Sequence, residues 1–340
     1  MEESEEVSNG RFWRKRMQIN GTTWMLVLIT SVIFYFSTGP GNYLEHLGLQ
    51  VLFLVPLLII SSSLVYSIDL SYRNVRKGYI RYFWNSTAYL YLAASFWVIS
   101  AAVILSFGNP LIAFVYLDVI LLLVIGAMAV NIRVRIWKRA SKEIQNENIV
   151  KGAKGMADRM GTKISGFRVV DWSRAKIANA FQAGLSNHYV FVTNFLLENL
   201  TDDENLAIIA HEIAHAQRKH LIKTLIFAAF PMILIGNILY ATLVLKLGTG
   251  IRVGFVIGMV FSIFLTIYLI LPFIQRRFEK EADLIAAHFT GPSLLAETLV
   301  KVARLNHSPI NMPSYLNPTH PSTAERVDYL KRLESSSKTG

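Results

Sequence analysis

The sequence predicts a mainly α membrane protein, in which about six transmembrane helices carry a cytoplasmic α+β domain with a metal site. Composition is the first reason. Of 340 residues, 53% are hydrophobic and only 17% are charged, a balance too apolar for a soluble globular protein. The second reason is the segment His211-Glu212-Ile213-Ala214-His215, which stands between apolar stretches and has a helical pattern suited to metal binding.

Uncharged stretches define the spans, at residues 22–37, 49–68, 84–106, 111–132, 224–245 and 253–274. All but the first reach about 20 residues, the length that crosses the hydrocarbon core. Gly108-Asn109-Pro110 is a turn signal that separates the third span from the fourth. Asp118 lies within the fourth span, where it either serves a function or sits near the outer interface or against a polar group of a neighbouring helix.

Basic clusters give the orientation. They lie at residues 11–16, 73–81, 133–139 and 276–280, whereas the basic residues of the opposite loops are only Lys246 and Arg252. Basic loops stay in the cytoplasm, so both termini and residues 133–222 are predicted to be cytoplasmic in a multi-pass plasma-membrane protein. The net charge of +11 then requires no nucleic-acid partner. The chain has no Cys and opens without a targeting segment, which favours a prokaryotic source.

The histidine motif predicts a zinc site. His211 and His215 are one helical turn apart, so both imidazoles can reach one Zn²⁺ ion from the same helix face. Glu212 follows the first histidine and is placed to act as the general base. Thr201 and Glu204 form a capping box that begins the helix. The alternative is a helix that carries two surface histidines beside a basic patch.

The third ligand must come from a later segment, because a catalytic zinc site needs three protein ligands. Arg218 and Leu221 occupy the positions where a metzincin has Gly and His, which excludes that class. After a membrane hairpin the chain returns at Gln275. Glu279 is then placed to be the third ligand, and Asp283, one turn later, to accept a hydrogen bond from a liganding histidine.

Two other interpretations of this stretch remain. Glu281 is a competing carboxylate, although its helical phase keeps it off the face of Glu279. In the second interpretation, the stretch is the charged start of a juxtamembrane helix and has no metal role.

The predicted organisation of the chain has five parts. They are a cytoplasmic tail at 1–21, a four-helix transmembrane region at 22–132, the first part of the metal-site domain at 133–222, a transmembrane hairpin at 223–275 and the second part of that domain at 276–340.

These motifs resemble those of the HtpX-type membrane zinc metalloproteases and of the related CAAX prenyl endoproteases. The shared elements, over roughly residues 135–335, are His211–His215, Glu279–Asp283, Asn179-Ala180-Phe181, and Thr319-His320-Pro321 followed by Arg326. The resemblance implies a zincin-like metalloprotease domain with one Zn²⁺ per chain, bound by His211, His215 and Glu279. The chain has more N-terminal spans than HtpX-type proteins and fewer spans than CAAX endoproteases, so the zinc chemistry is implied but the substrate class is not.

The resemblance also implies roles for the remaining site residues. Glu212 would be the base, and Asp283 would contact a liganding histidine. The strand Asn179-Ala180-Phe181 would pair with the substrate backbone, and His320 and Arg326 would help to stabilise the tetrahedral intermediate. Plainer roles stay open for three of them, namely a turn residue for Asn179, a loop residue for His320 and a solvated helix residue for Arg326.

Short patterns predict the rest of the domain. The β-type runs are 167–172, 176–182 and 188–193, which predict a small antiparallel sheet whose edge accepts an extended peptide. Helices are predicted at 138–160, 293–306 and 322–333, before a frayed tail at 334–340. The other histidines are expected at the surface or an interface: His46, His188, His220, His288 and His307.

The resulting hypothesis is a membrane-embedded zinc endopeptidase that cleaves membrane or misfolded proteins at the cytoplasmic face, in quality control. Its partners would be a polypeptide substrate and the bilayer. The alternatives are a CAAX-type prenyl-protein endoprotease, an intramembrane site-2 type protease, a catalytically silent scaffold and a metal transporter. The last two are disfavoured because Glu212 is retained and because Asp118 is the only ionisable residue within the spans. A site-2 type enzyme would need its motif inside a span.

Overall fold

The computed structural model describes residues 133–172, 176–227, 265–311 and 320–338, and elsewhere mainly residues 59–68. The chain divides into two compact units, Met1–Phe114 and Val115–Gly340. The predicted spans lie largely outside the described residues, and Asp118 lies outside them altogether. In the described part of the chain, no helix combines the length and the apolar composition that a membrane crossing requires.

In the first unit, the longest described stretch is the helical segment 59–68. Hydroxyl groups connect this segment to its neighbours. Thr23 Oγ1 donates to Ser61 Oγ at 2.8 Å, and Ser62 Oγ pairs with Tyr79 Oη at 2.6 Å. Val65 is buried beside them. These bonds satisfy polar side chains within an otherwise apolar segment.

The second unit has the order β1 (Ser141–Glu143), α1 (Glu147–Arg159), β2 (Ile164–Val170), β3 (Ala180–Ala183), β4 (His188–Thr193), α2 (Asn194–Asn199), α3 (Asp202–Gln217), α4 (Leu271–Thr290), α5 (Pro292–Leu305) and α6 (Thr323–Lys338). A π-helical turn, Thr266–Ile270, leads directly into α4. Residues 133–139 and 220–227 are also helical. The described part of this unit is a mainly helical α+β domain, as the sequence predicts.

The four strands form one mixed sheet in the order β1-β2-β4-β3. β1 and β3 pair antiparallel with their neighbours, but β2 and β4 run parallel, so the prediction of an antiparallel sheet was wrong. The connection after β2 carries the chain beyond the position of β4, and the β3–β4 hairpin then returns β4 beside β2. Gly184 permits that hairpin, because its φ is +112° and a Cβ there would lie 2.0 Å from the Asn187 carbonyl oxygen.

The single helix predicted at 138–160 is also wrong, because the segment holds two elements. Residues 141–143 form β1, which pairs with residues 168–170 of β2. Asn146 then caps α1, since its side chain accepts hydrogen bonds from the amides of Asn148 and Ile149. An Asn cap of this kind begins a new helix even within a charged stretch.

The C-terminal helices agree better with the prediction. Helix α5 is confirmed. Helix α6 begins after Ser322, in a capping box in which Ser322 Oγ accepts from the Glu325 amide and Glu325 Oε2 accepts from the Ser322 amide. The prediction of a frayed tail is wrong for residues 334–338, because these residues continue α6. Glu334 is held there by a hydrogen bond from Ser293 of α5, and Leu330 is fully buried.

Helix α3 lies at the centre of the domain. It packs on α1 and the sheet, and also on α4 and α5. Ile209 and Ile213 are fully buried along it. Burial of each such side chain stabilises the fold by about 1.5–3 kcal/mol. The helix that carries the histidine motif is therefore held from several directions.

Candidate active site

Helix α3 begins with the predicted capping box. Thr201 Oγ1 accepts from the Glu204 amide, and Glu204 Oε2 accepts from the Thr201 amide. Lys301 of α5 also donates to Glu204 Oε2, at 2.7 Å. Further along the helix, His211 and His215 lie on one face with their Nε2 atoms 3.0 Å apart. The capped and buried helix thus holds both imidazoles in a fixed relation.

Glu279 of α4 completes a cluster with the two histidines. Its Oε1 lies 3.3 Å from His215 Nε2, and its Oε2 lies 3.5 Å from His211 Nε2. Zinc bonds of about 2.0–2.1 Å in a tetrahedral arrangement place neighbouring ligand atoms about 3.3 Å apart, so these spacings fit the ion. Two imidazoles and a carboxylate are also a known donor set of catalytic zinc sites, in which a fourth position stays open.

Asp283 of α4 lies behind His211, with Oδ1 2.9 Å from Nδ1. Asp283 is fully buried, and Arg326 of α6 donates to its two oxygens at 2.7 and 2.5 Å. The Tyr329 hydroxyl donates to it as well. Burial opposes its charge, but Arg326 and His211 hold the pKa of Asp283 below its usual range.

The same contact decides the orientation of the His211 ring. Burial lowers the pKa of His211, but Asp283 and then Glu279 raise it to about 10. Because Asp283 Oδ1 lies 2.9 Å from Nδ1, the carboxylate favours a proton on that nitrogen, and Nε2 faces the cluster. Burial would likewise raise the pKa of Glu279, but His320 and the two clustered histidines hold it well below its usual range.

Glu212 lies where α3 meets β3. Its Oε2 accepts a hydrogen bond from the Gln182 amide at 2.8 Å. Glu212 lines a cleft of about 420 Å³ together with the three clustered residues. Apolar side chains also line this cleft: Leu196, Ile208, Leu299 and Val302. The predicted base thus lies beside the predicted ligands, with one oxygen held by the sheet.

β3 is an edge strand of the described sheet. Asn179 is hydrogen-bonded toward β4 through both its amide and its carbonyl. Alternation along an antiparallel pair then directs the peptide groups of Ala180 and Gln182 outward, and both residues line the cleft. Phe181 stacks on Phe191, with ring centroids 5.2 Å apart. The segment predicted to pair with substrate therefore borders the cleft.

His320 and Arg326 also line the cleft. The His320 side chain is half exposed, and its Nδ1 lies 2.9 Å from Glu279 Oε2. Arg326 directs two nitrogens to Asp283, and its Nη1 lies 3.9 Å from Glu279 Oε2. Arg326 thus faces a buried carboxylate as well as the cleft, which its sequence position alone did not indicate.

His220 is a neighbour of the site that the sequence analysis missed. Its exposed fraction is 3%, so it does not lie at the surface, the first of the two locations predicted for it. Its Nδ1 lies 2.9 Å from His215 Nδ1. In a continuous helix it would point about 140° away from His215. Instead, α3 ends at Gln217 and Lys219 adopts a φ of +53°, which turns His220 back toward His215. The spacing of the two histidines in the sequence therefore did not predict this contact.

The surroundings of His220 are both polar and aromatic. Its Nε2 lies 3.1 Å from Glu281 Oε2, and the other oxygen of Glu281 is 2.8 Å from Arg218 Nε. The ring stacks on Phe278 at a centroid distance of 4.3 Å. Burial, opposed by Glu281, lowers the pKa of His220 to about 4. Glu281 lies off the metal-facing side of α4, as its helical phase predicts.

Comparison with known proteins bears on this arrangement. The sequence profile of peptidase family M48 matches residues 143–334, more than half of the chain. The chain belongs to peptidase family M48. It is therefore a member of a zinc metallopeptidase family, with His211, His215 and Glu279 as its candidate metal site.

Two kinds of known protease are similar to this M48 protein. CAAX prenyl protease 1 of Saccharomyces cerevisiae is 26% identical over 226 residues, which cover 57% of this chain and 50% of that protein. The chain thus spans about half the length of that relative. Protease HtpX of Legionella pneumophila is 29% identical over 208 residues, covering 52% of this chain and 73% of that protein. The crystal structure of S. mikatae Ste24p has a similar fold, with a TM-score of 0.56 at 22% identity, over 83% of this chain and 75% of that one.

Proposed function

We propose that this M48 protein is an endopeptidase that cleaves membrane or misfolded polypeptides at the cytoplasmic face of the plasma membrane. One observation carries the proposal. A His-His-Glu cluster, the Glu212 carboxylate and an edge strand all border the same cleft. This combination suits hydrolysis of a peptide bond in an extended segment, because an edge strand can bind the segment by strand addition.

Different residues of the cleft have different roles in the proposed reaction. His211, His215 and Glu279 would hold one zinc ion, which supplies Lewis-acid activation of water and of the peptide carbonyl. Glu212 takes the proton from the attacking water and delivers it to the leaving amine. The Gln182 amide keeps the Glu212 carboxylate at the edge of the sheet.

The substrate backbone binds along β3, at the segment Asn179-Ala180-Phe181. An added strand there lies beside Glu212, which the neighbouring residue Gln182 already contacts. His320 and Arg326 stabilise the negative charge that develops on the carbonyl oxygen, because their cationic or hydrogen-bonding groups line the same cleft.

The membrane location is supported by exposed apolar side chains at the ends of the predicted spans. Ile226 and Phe227 begin the fifth span and are 54% and 43% exposed. Leu269 and Phe273 end the sixth span and are 60% and 57% exposed. A bilayer would cover these exposed apolar groups, and their position at the ends of two apolar stretches supports this location.

A prenyl-protein endoprotease is the second candidate. It is favoured by the similarity to CAAX prenyl protease 1, which covers 57% of this chain. The zinc chemistry of the two candidates is the same, so the ligand cluster does not separate them. The difference lies in the substrate, and only a choice between substrates can decide it.

The deciding experiment uses the full chain in detergent, with wild type beside Glu212→Gln. Zinc content and cleavage of casein are measured together, with a prenylated C-terminal peptide as the second substrate. We expect one zinc per chain in both forms. Casein cleavage should fall at least a hundredfold in Glu212→Gln, since general acid–base catalysis contributes about 10²–10⁴-fold. Glu198→Gln, at an exposed position of α2, is the matched control and should keep wild-type activity.

The other outcomes are equally informative. A zinc-loaded chain that cleaves only the prenylated peptide would favour the second candidate. A zinc-loaded chain that cleaves neither substrate would favour a silent scaffold. A chain without bound zinc would refute the assignment of His211, His215 and Glu279.

A further inference from the structure

Each candidate ligand histidine has a polar partner on the side away from the cluster. For His211 the partner is Asp283, 2.9 Å from Nδ1. For His215 the partner is the buried ring of His220, whose Nδ1 lies 2.9 Å from His215 Nδ1. Behind that ring, Glu281 Oε2 lies 3.1 Å from His220 Nε2. The second ligand is therefore linked to a carboxylate through an intervening imidazole.

The chemistry of these atoms fixes the direction of each hydrogen bond. A carboxylate only accepts, so His220 Nε2 carries a proton and donates to Glu281. The Nδ1 atom of a neutral His220 is then an acceptor, and His215 Nδ1 donates to it. His215 Nε2 is left without a proton. It faces His211 Nε2 at 3.0 Å and Glu279 Oε1 at 3.3 Å, where the metal would bind.

We propose that His220, backed by Glu281, is a positioning residue that holds His215 in the tautomer and ring orientation in which its Nε2 binds zinc. This inference rests on the proposed function, in which His215 is a ligand. Liganding histidines usually donate their second ring N–H directly to a carboxylate, carbonyl or water. Here Asp283 lies directly against His211 Nδ1, whereas Glu281 reaches His215 only through a second ring.

A purely structural role of His220 makes a different prediction. The ring stacks on Phe278, and the Lys223 ammonium also lies 5.6 Å from the Phe278 centroid. A phenyl group at position 220 would keep this packing but could not accept from His215. An asparagine would lose the stacking, yet its amide oxygen lies near the position of the ring Nδ1 and accepts a hydrogen bond. The two substitutions therefore separate positioning from packing.

The test measures the zinc affinity of the full chain in detergent, by competition with a chromophoric chelator, together with thermal stability. We expect His220→Phe to weaken zinc binding by about 10–100-fold, the usual effect of losing such a partner. His220→Asn should stay within about threefold of wild type, although it unfolds at a lower temperature than His220→Phe. The reverse order of zinc affinities, or wild-type affinity in His220→Phe, would overturn the proposal.

Glu281→Met provides a second variant with little risk to folding, because the Glu281 side chain is 36% exposed. It should weaken zinc binding by about three- to tenfold. An unchanged affinity would refute the proposed support of His220 by Glu281. His215→Ala distinguishes this inference from the function on which it rests. If His215→Ala keeps wild-type zinc affinity, the ligand assignment fails. If it loses zinc while His220→Phe keeps it, only the positioning role fails.

Discussion

Arg326→Met tests how α6 supports the candidate site. Arg326 donates two hydrogen bonds to Asp283, whose exposed fraction is 0%. Removing the guanidinium leaves a buried carboxylate with only Tyr329 and His211 as partners. Loss of one member of a buried ion pair lowers the free energy of unfolding by about 3–5 kcal/mol. Because two partners of Asp283 remain, we expect the lower value, about 3 kcal/mol.

That cost corresponds to a fall of about 6–12 °C in the midpoint of thermal unfolding, at about 2–4 °C per kcal/mol for a domain of this size. The assay follows tryptophan fluorescence of the zinc-free chain in detergent as the temperature rises, so that zinc affinity does not affect the midpoint. Arg332→Met is the matched control, because Arg332 is exposed on the same helix. Its midpoint should move by less than about 2 °C.

A double variant isolates the ion pair from the rest of α6. The neutral amide of Asp283→Asn does not require a guanidinium, so Asp283→Asn in the Arg326→Met background should be no less stable than Arg326→Met alone. Two results would refute the reasoning that Arg326 compensates the buried charge. One is a midpoint for Arg326→Met within about 2 °C of wild type, and the other is strict additivity in the double variant.

Three further predictions concern the framework of the site. Ile213→Ala should lower the free energy of unfolding by about 2–5 kcal/mol, because Ile213 is fully buried; a loss below about 1 kcal/mol in thermal unfolding would contradict its packing. Burial opposes the charge of Glu204, but Lys301 lowers the pKa of the Glu204 carboxyl group below its usual value. The ionised Glu204 therefore stabilises the fold fully above the usual carboxyl pKa, and this stabilisation disappears as the pH falls through the lowered pKa. The unfolding midpoints of wild type and Glu204→Gln should therefore differ at neutral pH and converge in acid, and a constant difference would argue against the ion pair. Gly184→Ala should destabilise the chain by more than about 1 kcal/mol, since φ is +112° and the new Cβ would meet the Asn187 carbonyl; a wild-type midpoint would disprove that turn.

Helices and their caps could be predicted from the sequence because their signals are local. Thr201 with Glu204, and Ser322 ahead of α6, begin helices through hydrogen bonds between residues three apart. The direction of β2 relative to β4 could not be predicted, because it depends on the path of residues 171–179. β1 has only three residues, too few for any periodicity. The assignment of spans and domains stays a prediction.

In the candidate site, too, the local features could be predicted from the sequence and the others could not. The i and i+4 spacing of His211 and His215 fixes their common face, so the sequence could predict that pair. His220 joins the site only because Lys219, a residue other than glycine, adopts a positive φ. The partner of Glu212 is a backbone amide, which has no side-chain signature in the sequence.

The hydrogen bond between the Gln182 amide and Glu212 has a further consequence for the edge strand. A peptide that pairs with β3 finds the amide and carbonyl of Ala180, but the outward donor at Gln182 is already taken. Under the proposed function, the ladder would therefore be interrupted at Glu212, the proposed base, and the added strand would stay short. An open edge invites copies of a protein to join into continuous sheets. Because Glu212 occupies the Gln182 amide, one residue beyond Phe181, the outward edge of β3 offers one donor fewer to such pairing.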